Sequence, residues 1–242
     1  LFAKVREDAP DGFFTAEAAG LRWLAEAGTV QVPEVIAADA TMLVTTWVHQ
    51  APATPATAEA FGRGLAGLHA AGAPTFGLDR SGWIGTLPLD NTPAPDWPTF
   101  YVERRCRPYL RQARNAGTLS SDQAAVVEQA LDRVADHAGP AEPPARLHGD
   151  LWSGNVLYGD DGAWLVDPAA HGGHRETDLA MLALFGAPHL DRTLAAYAET
   201  APLADGWRER VALHQLHPLL VHCALFGTGY AGQTLRAART VR

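Results

Sequence analysis

The sequence predicts an α+β fold in two lobes: a small N-terminal α/β lobe over residues 1–49 and a larger, mainly helical C-terminal lobe over residues 50–242. Three observations carry this reading. Stretches that alternate between apolar and polar residues are concentrated in the first fifty residues, and alternation is the signature of strands. A break containing Pro52 and Pro55 follows. Beyond it, apolar residues recur at helical spacing almost to the end, interrupted by one hairpin signal at 155–167.

In chain order, residues 2–6 alternate and read as a strand. Thr15 is the expected N-cap and Gly28 the expected residue after the end of a helix near 16–27. Residues 35–38 and 41–48 read as strands around a turn at Asp39-Ala40, and 50–57 as a linker. Phe61, Leu65 and Leu68 mark a helix over 58–71 that Gly72 closes. Residues 73–98 hold five prolines and three glycines, which predicts a long ordered loop. A helical pattern resumes at 99–116. Ser120 and Gln123 have capping-box spacing ahead of Val127, Leu131 and Val134 on one face. A second break covers 140–146, and helices are expected near 176–186, 190–199 and 207–226.

Composition narrows the function. With 47% hydrophobic and 19% charged residues a packed core is expected. Acids outnumber bases, 27 to 19, for a net charge of −8, so neither nucleic acid nor an anionic membrane is an expected partner. No apolar run has the length of a membrane helix. Cys106 and Cys223 are too few for a disulfide scaffold and read as packing residues. A cytoplasmic location is expected.

The chemistry concentrates in residues 147–167, LHGDLWSGNVLYGDDGAWLVD. Folded about Gly159-Asp160-Asp161-Gly162, a hairpin pairs Tyr158 with Ala163, Leu157 with Trp164 and Val156 with Leu165. Continuing that register brings Asn155 beside Asp167, two hard oxygen ligands suited to Mg²⁺. Asp150 stands five positions before Asn155, the spacing at which a kinase loop places its proton-accepting Asp before a metal-binding Asn. Upstream, Glu17, Gly20, Leu21 and Leu24 share one helix face, and a carboxylate on an apolar face calls for a cation. Lys4, the only lysine in the chain, stands on the preceding strand. Lysine is a compact point charge that arginine does not replace at a tight phosphate site.

With these residues in place, the sequence resembles the fructosamine (ketosamine) kinase family, within the aminoglycoside phosphotransferase branch of the protein kinase-like fold. The matching stretches are LHGDLWSGNVLY, DPAAHGGHRETDLAMLALFG, FGLDRSGWIGTLPLDN with Asp96-Trp97, and LHPLLVHCALFGTGY. The resemblance covers nearly the whole chain, from Phe2 to Tyr230. The resemblance implies ATP-dependent phosphorylation of a sugar hydroxyl on a ketosamine such as a ribulosamine or fructosamine, a deglycation repair, with ATP and Mg²⁺ as cofactors. It implies Asp150 as general base and Asn155 and Asp167 as magnesium ligands. Lys4 and Glu17 become the phosphate-binding pair, Thr45 the gatekeeper, and the backbone at Thr46 and Val48 the adenine contact. Trp152 would face the sugar, the alternative being a buried plug. Asp178 and His148 would support the catalytic loop, Asp178 by accepting backbone hydrogen bonds or by capping its helix. The family also places two strands and a phosphate-covering turn before the Lys strand. The N-terminal lobe is thus expected to be truncated, those strands missing either from this sequence or from the protein.

Other readings accompany this one. The substrate could be another hydroxylated amine, of aminoglycoside or choline type, or the chain could be an inactive nucleotide-binding module. His171, His174, Glu176 and Asp178 fall short of a zinc ligand set. His214, His217 and His222 read as core or cleft-lining residues on a Leu-rich helix. The arginines at 104, 105, 107, 111 and 114 read as a mostly solvated helix face, though one of them could meet an anionic substrate group.

Overall fold

The computed structural model describes residues 1–241. The chain opens with β1 (Phe2–Val5), α1 (Phe13–Ala25), β2 (Val35–Ala38) and β3 (Met42–Thr45), the strands forming an antiparallel sheet in the order β1-β3-β2. Lys4 sits opposite Leu43. Phe14, Ala18 and Leu21 of α1 pack on Leu43, which fixes the helix over the sheet. Thr15 is not the N-cap: α1 starts at Phe13 with Gly12 in the left-handed region at φ 80°, where glycine carries no Cβ penalty. Thr15 Oγ1 instead donates back to the Gly12 carbonyl. The expected turn forms because Asp39 Oδ1 accepts from the N–H groups of Thr41 and Met42. β3 is shorter than the alternation suggests and ends at Thr45.

Helix α2 (Pro55–Ala70) begins earlier than expected, with Thr54 and Thr57 forming a reciprocal cap and Pro55 in the first turn. Proline there is a start signal, since its missing N–H would have had no partner, so Pro55 opens a helix instead of extending the linker. Gly62 lets the helix at Leu190–Thr200 approach closely, because a Cβ on it would stand 2.2 Å from the Thr193 carbonyl oxygen. The expected loop 73–98 contains a hairpin, β4 (Gly82–Ile84) and β5 (Leu87–Leu89), and Trp83 lies against Phe13 of α1 at 5.8 Å.

Helix α3 (Trp97–Phe100) runs through a π-helical turn at Tyr101–Cys106 into α4 (Arg107–Asn115). The arginine face is not all solvated. Arg105 is buried and donates to the Asp90 carbonyl and to Asn91 Oδ1, while Arg111 and Arg114 are exposed. After α5 (Ser121–Leu131), which has the expected Ser120–Gln123 cap, come α6 (Val134–His137), β6 (Ala145–Leu147), β7 (Val156–Gly159), β8 (Gly162–Leu165) and β9 (His171–Gly173). β7 and β8 pair in the register expected from the turn.

The chain closes with α7 (Glu176–Phe185), α8 (Leu190–Thr200), α9 (Trp207–Phe226) and α10 (Ala231–Thr240). The largest core cluster gathers around α9 through Leu213, Leu216, Leu219 and Leu220, with Cys106 and Cys223 packed inside it. Pro218 interrupts the ladder of α9, since it cannot donate to the carbonyl of residue 214. The Tyr101 hydroxyl fills the gap. It donates to the Leu213 carbonyl at 2.7 Å, lies 3.0 Å from the His214 carbonyl, and accepts the His217 N–H at 3.1 Å. No helix among the described residues is long and apolar enough to cross a membrane.

Candidate active site

The loop between β6 and β7 carries Asp150 and is held from three directions. Asp178, in the first turn of α7, accepts the backbone N–H of His148 at 2.8 Å and of Gly149 at 3.0 Å. It does not cap its helix, whose N-cap is Arg175. His69 of α2 reaches the same carboxylate through Nε2 at 3.2 Å, and its Nδ1 meets the Tyr197 hydroxyl at 2.8 Å. His148 accepts the Asp150 N–H at Nδ1, and its Nε2 lies 2.9 Å from the Val166 carbonyl. That pairing suits a neutral imidazole with its proton on Nε2. Burial also holds His148 below its usual range.

Asn155 ends a short 3₁₀ turn at Ser153–Asn155. Its amide nitrogen donates to the Asp150 carbonyl at 2.8 Å and contacts Asp150 Oδ2 at 3.2 Å and the Asp167 carbonyl at 3.4 Å. This leaves its amide oxygen as the remaining ligand atom. Burial pushes the Asp150 carboxyl up to about 7, with the Asn155 hydrogen bond opposing and Asp167 and Asp178 adding to the rise. Asp167 lies just beyond β8 at φ 56°, a region few non-glycine residues occupy and one often found at functional sites.

Lys4 joins the two ends of the site. Its ammonium is 2.7 Å from Glu17 Oε1 and 2.5 Å from Asp167 Oδ1. Burial alone would lower its pKa, but Glu17 and Asp167 outweigh burial and raise it. Burial raises the Glu17 carboxyl, against the pull of Lys4.

A cavity of about 270 Å³ is lined by Lys4, Glu17, Asp150, Trp152, Asn155 and Asp167, with Trp83 and Gly85 of the β4–β5 hairpin on its far wall. A second cavity of about 250 Å³ is lined by Phe2, Thr45, Thr46, Val48, Leu157 and Val166, and also by Lys4 and Asp167. Lys4 and Asp167 therefore stand where the two meet. Thr46 gives its N–H to the Glu34 carbonyl. Trp152 is no buried plug: it is 40% exposed. Its indole lies over Gly154, where a Cβ would come within 2.2 Å of the ring.

The sequence alone points to no role for His69 or Asn91 and does not show the β4–β5 hairpin. The hairpin's WIGTLPL alternates weakly, and two prolines nearby masked it. Ligand atoms of His174, Glu176 and His214 lie within 4.8 Å of one another. Arg210 already donates to both Glu176 oxygens, at 2.9 and 2.6 Å, so a cation occupies the place a metal would need.

Two cavities meeting at a lysine held by carboxylates from either side suit a reaction between a bound nucleotide and a bound alcohol, and they place the chain among phosphotransferases of the protein kinase-like fold. A choline/ethanolamine kinase family structure from Mesorhizobium loti shares that fold, with a TM-score of 0.61 over 99% of this chain and 81% of its own at 19% identity. The family model described as fructosamine kinase matches residues 1–241. A Thermobifida fusca crystal structure assigned as a fructosamine-3-kinase is 54% identical, with a TM-score of 0.97 over 99% of this chain and 84% of that one. A probable ketoamine kinase of Enterococcus faecium is 33% identical over 238 residues, 96% of this chain and 84% of the relative. The chain belongs to the fructosamine kinase family and is an ATP-dependent phosphotransferase.

Proposed function

We propose that the protein transfers the γ-phosphoryl group of ATP to a sugar hydroxyl of a ketosamine, as a deglycation repair kinase. The observation that carries this is that Asp150 and Trp152 line the same cavity as Lys4 and Asp167. Asp150 accepts the hydroxyl proton as oxygen attacks phosphorus. A carboxyl titrating near neutrality can take that proton and release it again. Trp152 offers an apolar face to the sugar carbons.

Lys4, oriented by Glu17, neutralises phosphate charge. Thr45 is the gatekeeper, and the Thr46 carbonyl and Val48 N–H meet adenine. Asn155 and Asp167 offer the hard oxygens that would hold magnesium, which would supply further neutralisation of phosphate charge. His148 and Asp178 hold the loop that carries Asp150. Residues 1–49 form the nucleotide lobe and residues 50–242 the catalytic and substrate lobe.

The test is phosphate transfer from ATP to synthetic ribulosamine and fructosamine. The wild type is expected to phosphorylate at least one. Asp150→Asn is expected to lose about 10²–10⁴-fold in kcat while still binding nucleotide. Undiminished turnover in that variant would sink the base assignment. Turnover of choline or an aminoglycoside with none of either ketosamine would sink the substrate assignment.

A further inference from the structure

Five rings run in an unbroken chain from the cavity to the surface of the larger lobe. Trp152 meets Phe185 edge-on at 6.3 Å. Phe185 lies 4.9 Å from His222. His222 lies 4.7 Å from Tyr230 and 5.3 Å from Phe226, and those two are 6.1 Å apart. The rings come from the catalytic loop, the end of α7, the last turn of α9 and the 3₁₀ turn Gly227–Tyr230. The sequence block LHPLLVHCALFGTGY supplies three of them, and the phosphoryl-transfer machinery uses none of those three.

The surface they form is unusual in two respects. Trp152 and Phe226, at 40% and 65% exposure, are the only large apolar side chains beyond residue 50 that stand exposed among the described residues. They are the two ends of this chain of rings. None of the five rings belongs to an acidic residue, a lysine or an arginine. His222 Nδ1 lies 2.7 Å from the Pro218 carbonyl, which fixes the imidazole, and burial lowers its pKa. Trp152 is the ring that joins the ledge to the cavity. Trp152 and Gly85 both line it, and Leu225, next to Phe226, closes against Gly85.

We propose that this ledge binds the amine-derived half of the ketosamine and favours amines bearing an aromatic or apolar group. The proposal rests on the ketosamine reading above. A cavity of about 270 Å³ is small beside the ~300–1,000 Å³ typical of sites for larger ligands, so a sugar that places its hydroxyl at Asp150 sends its nitrogen substituent outward. The outward path begins at Trp152. The secondary ammonium of a ketosamine is attracted to an indole face, and an apolar substituent beyond it reaches Phe226 and Tyr230.

The experiment compares two ribulosamines, one made from ethanolamine and one from phenethylamine, on wild type, Phe226→Ala and Tyr230→Ala. Thermal melts confirm that each variant is folded. Each variant is expected to lose about 3- to 10-fold in kcat/KM on the phenethylamine adduct, mainly through KM, and to stay within about twofold on the ethanolamine adduct. Phe226→Tyr restores the preference. Equal losses on both adducts, or no loss on either, overturn the ledge while leaving the kinase reading intact. If wild type phosphorylates neither adduct nor any other ketosamine, the ketosamine reading falls and the ledge falls with it.

Discussion

The Asp178 carboxylate bonds the backbone of His148, thirty residues away, and through Gly149 sets the two peptide units that precede Asp150. Both are buried, so the loop geometry depends on a carboxylate that does no chemistry itself. Asp178→Asn keeps one acceptor oxygen and turns an amide NH₂ toward a backbone N–H. We expect kcat to fall roughly 10²-fold, the scale of a misplacement near 1 Å, with KM for ATP little changed. Steady-state kinetics with a thermal melt checks this. A loss confined to stability, with kcat intact, would show that the loop holds its shape without Asp178.

Gly154 is needed for the lie of Trp152 rather than for its own backbone, whose φ is not positive. Gly154→Ala would drive a methyl into the indole, and the half-exposed ring has room to swing away. We expect stability to change by less than ~1 kcal/mol, within the range of surface substitutions. KM for the sugar substrate should rise about 10-fold with KM for ATP unchanged. An unchanged sugar KM would mean that Trp152 is not a substrate wall.

The site was legible in the sequence because its residues are local. Asp150, Asn155 and Asp167 lie on one turn-and-hairpin unit whose register the Gly-Asp-Asp-Gly turn dictates, and β7 and β8 pair accordingly. Lys4 and Glu17 were legible because a lone lysine and a carboxylate on an apolar helix face each call for a partner. His69 and Arg105 were not legible, because their partners come from distant segments: Asp178 and Tyr197 for one, Asp90 and Asn91 for the other. The π-helical turn at 101–106 also rotates Arg105 inward, away from the face that regular helical spacing assigns it. The start of α2 was missed because Pro55 serves equally as a breaker and as a first-turn residue.

Tyr101 replaces the ladder bond that Pro218 removes from α9 and serves three backbone groups with one hydroxyl. Tyr101→Phe preserves the ring and its packing on Trp97 but leaves buried carbonyls unpaired. A loss of about 1–3 kcal/mol is expected, read as a lower urea midpoint with an unchanged slope. A midpoint equal to wild type would mean that water takes over the hydroxyl's bonds.

Acid should destabilise the protein from about pH 6.5 downward, above the range in which ordinary carboxylates titrate. Burial drives His171 and His217 well below the ordinary imidazole range, and with His214 beside it lowers His174 to about 3. The unfolded chain therefore takes up protons near pH 6.5 while the folded one does not. Stability is full above that pH and falls as pH drops toward 3. Together the three histidines remove on the order of 4 kcal/mol per pH unit below about 6.5. Urea midpoints at pH 7.5, 6.5 and 5.5 test this, and equal midpoints at 7.5 and 5.5 would refute it.

Lys4 and Asp167 are 163 positions apart, whereas Asn155 and Asp167 arrive together on one hairpin. Closing so long a loop costs more chain entropy than closing a hairpin, and distant pairings form slowly. The hairpin with its oxygen ligands is therefore expected early in folding, and the ammonium's bridge to it among the last contacts made. A refolding chain would pass through a stage in which Asn155 and Asp167 are together but Lys4 has not yet joined them, so phosphoryl transfer should return later than secondary structure.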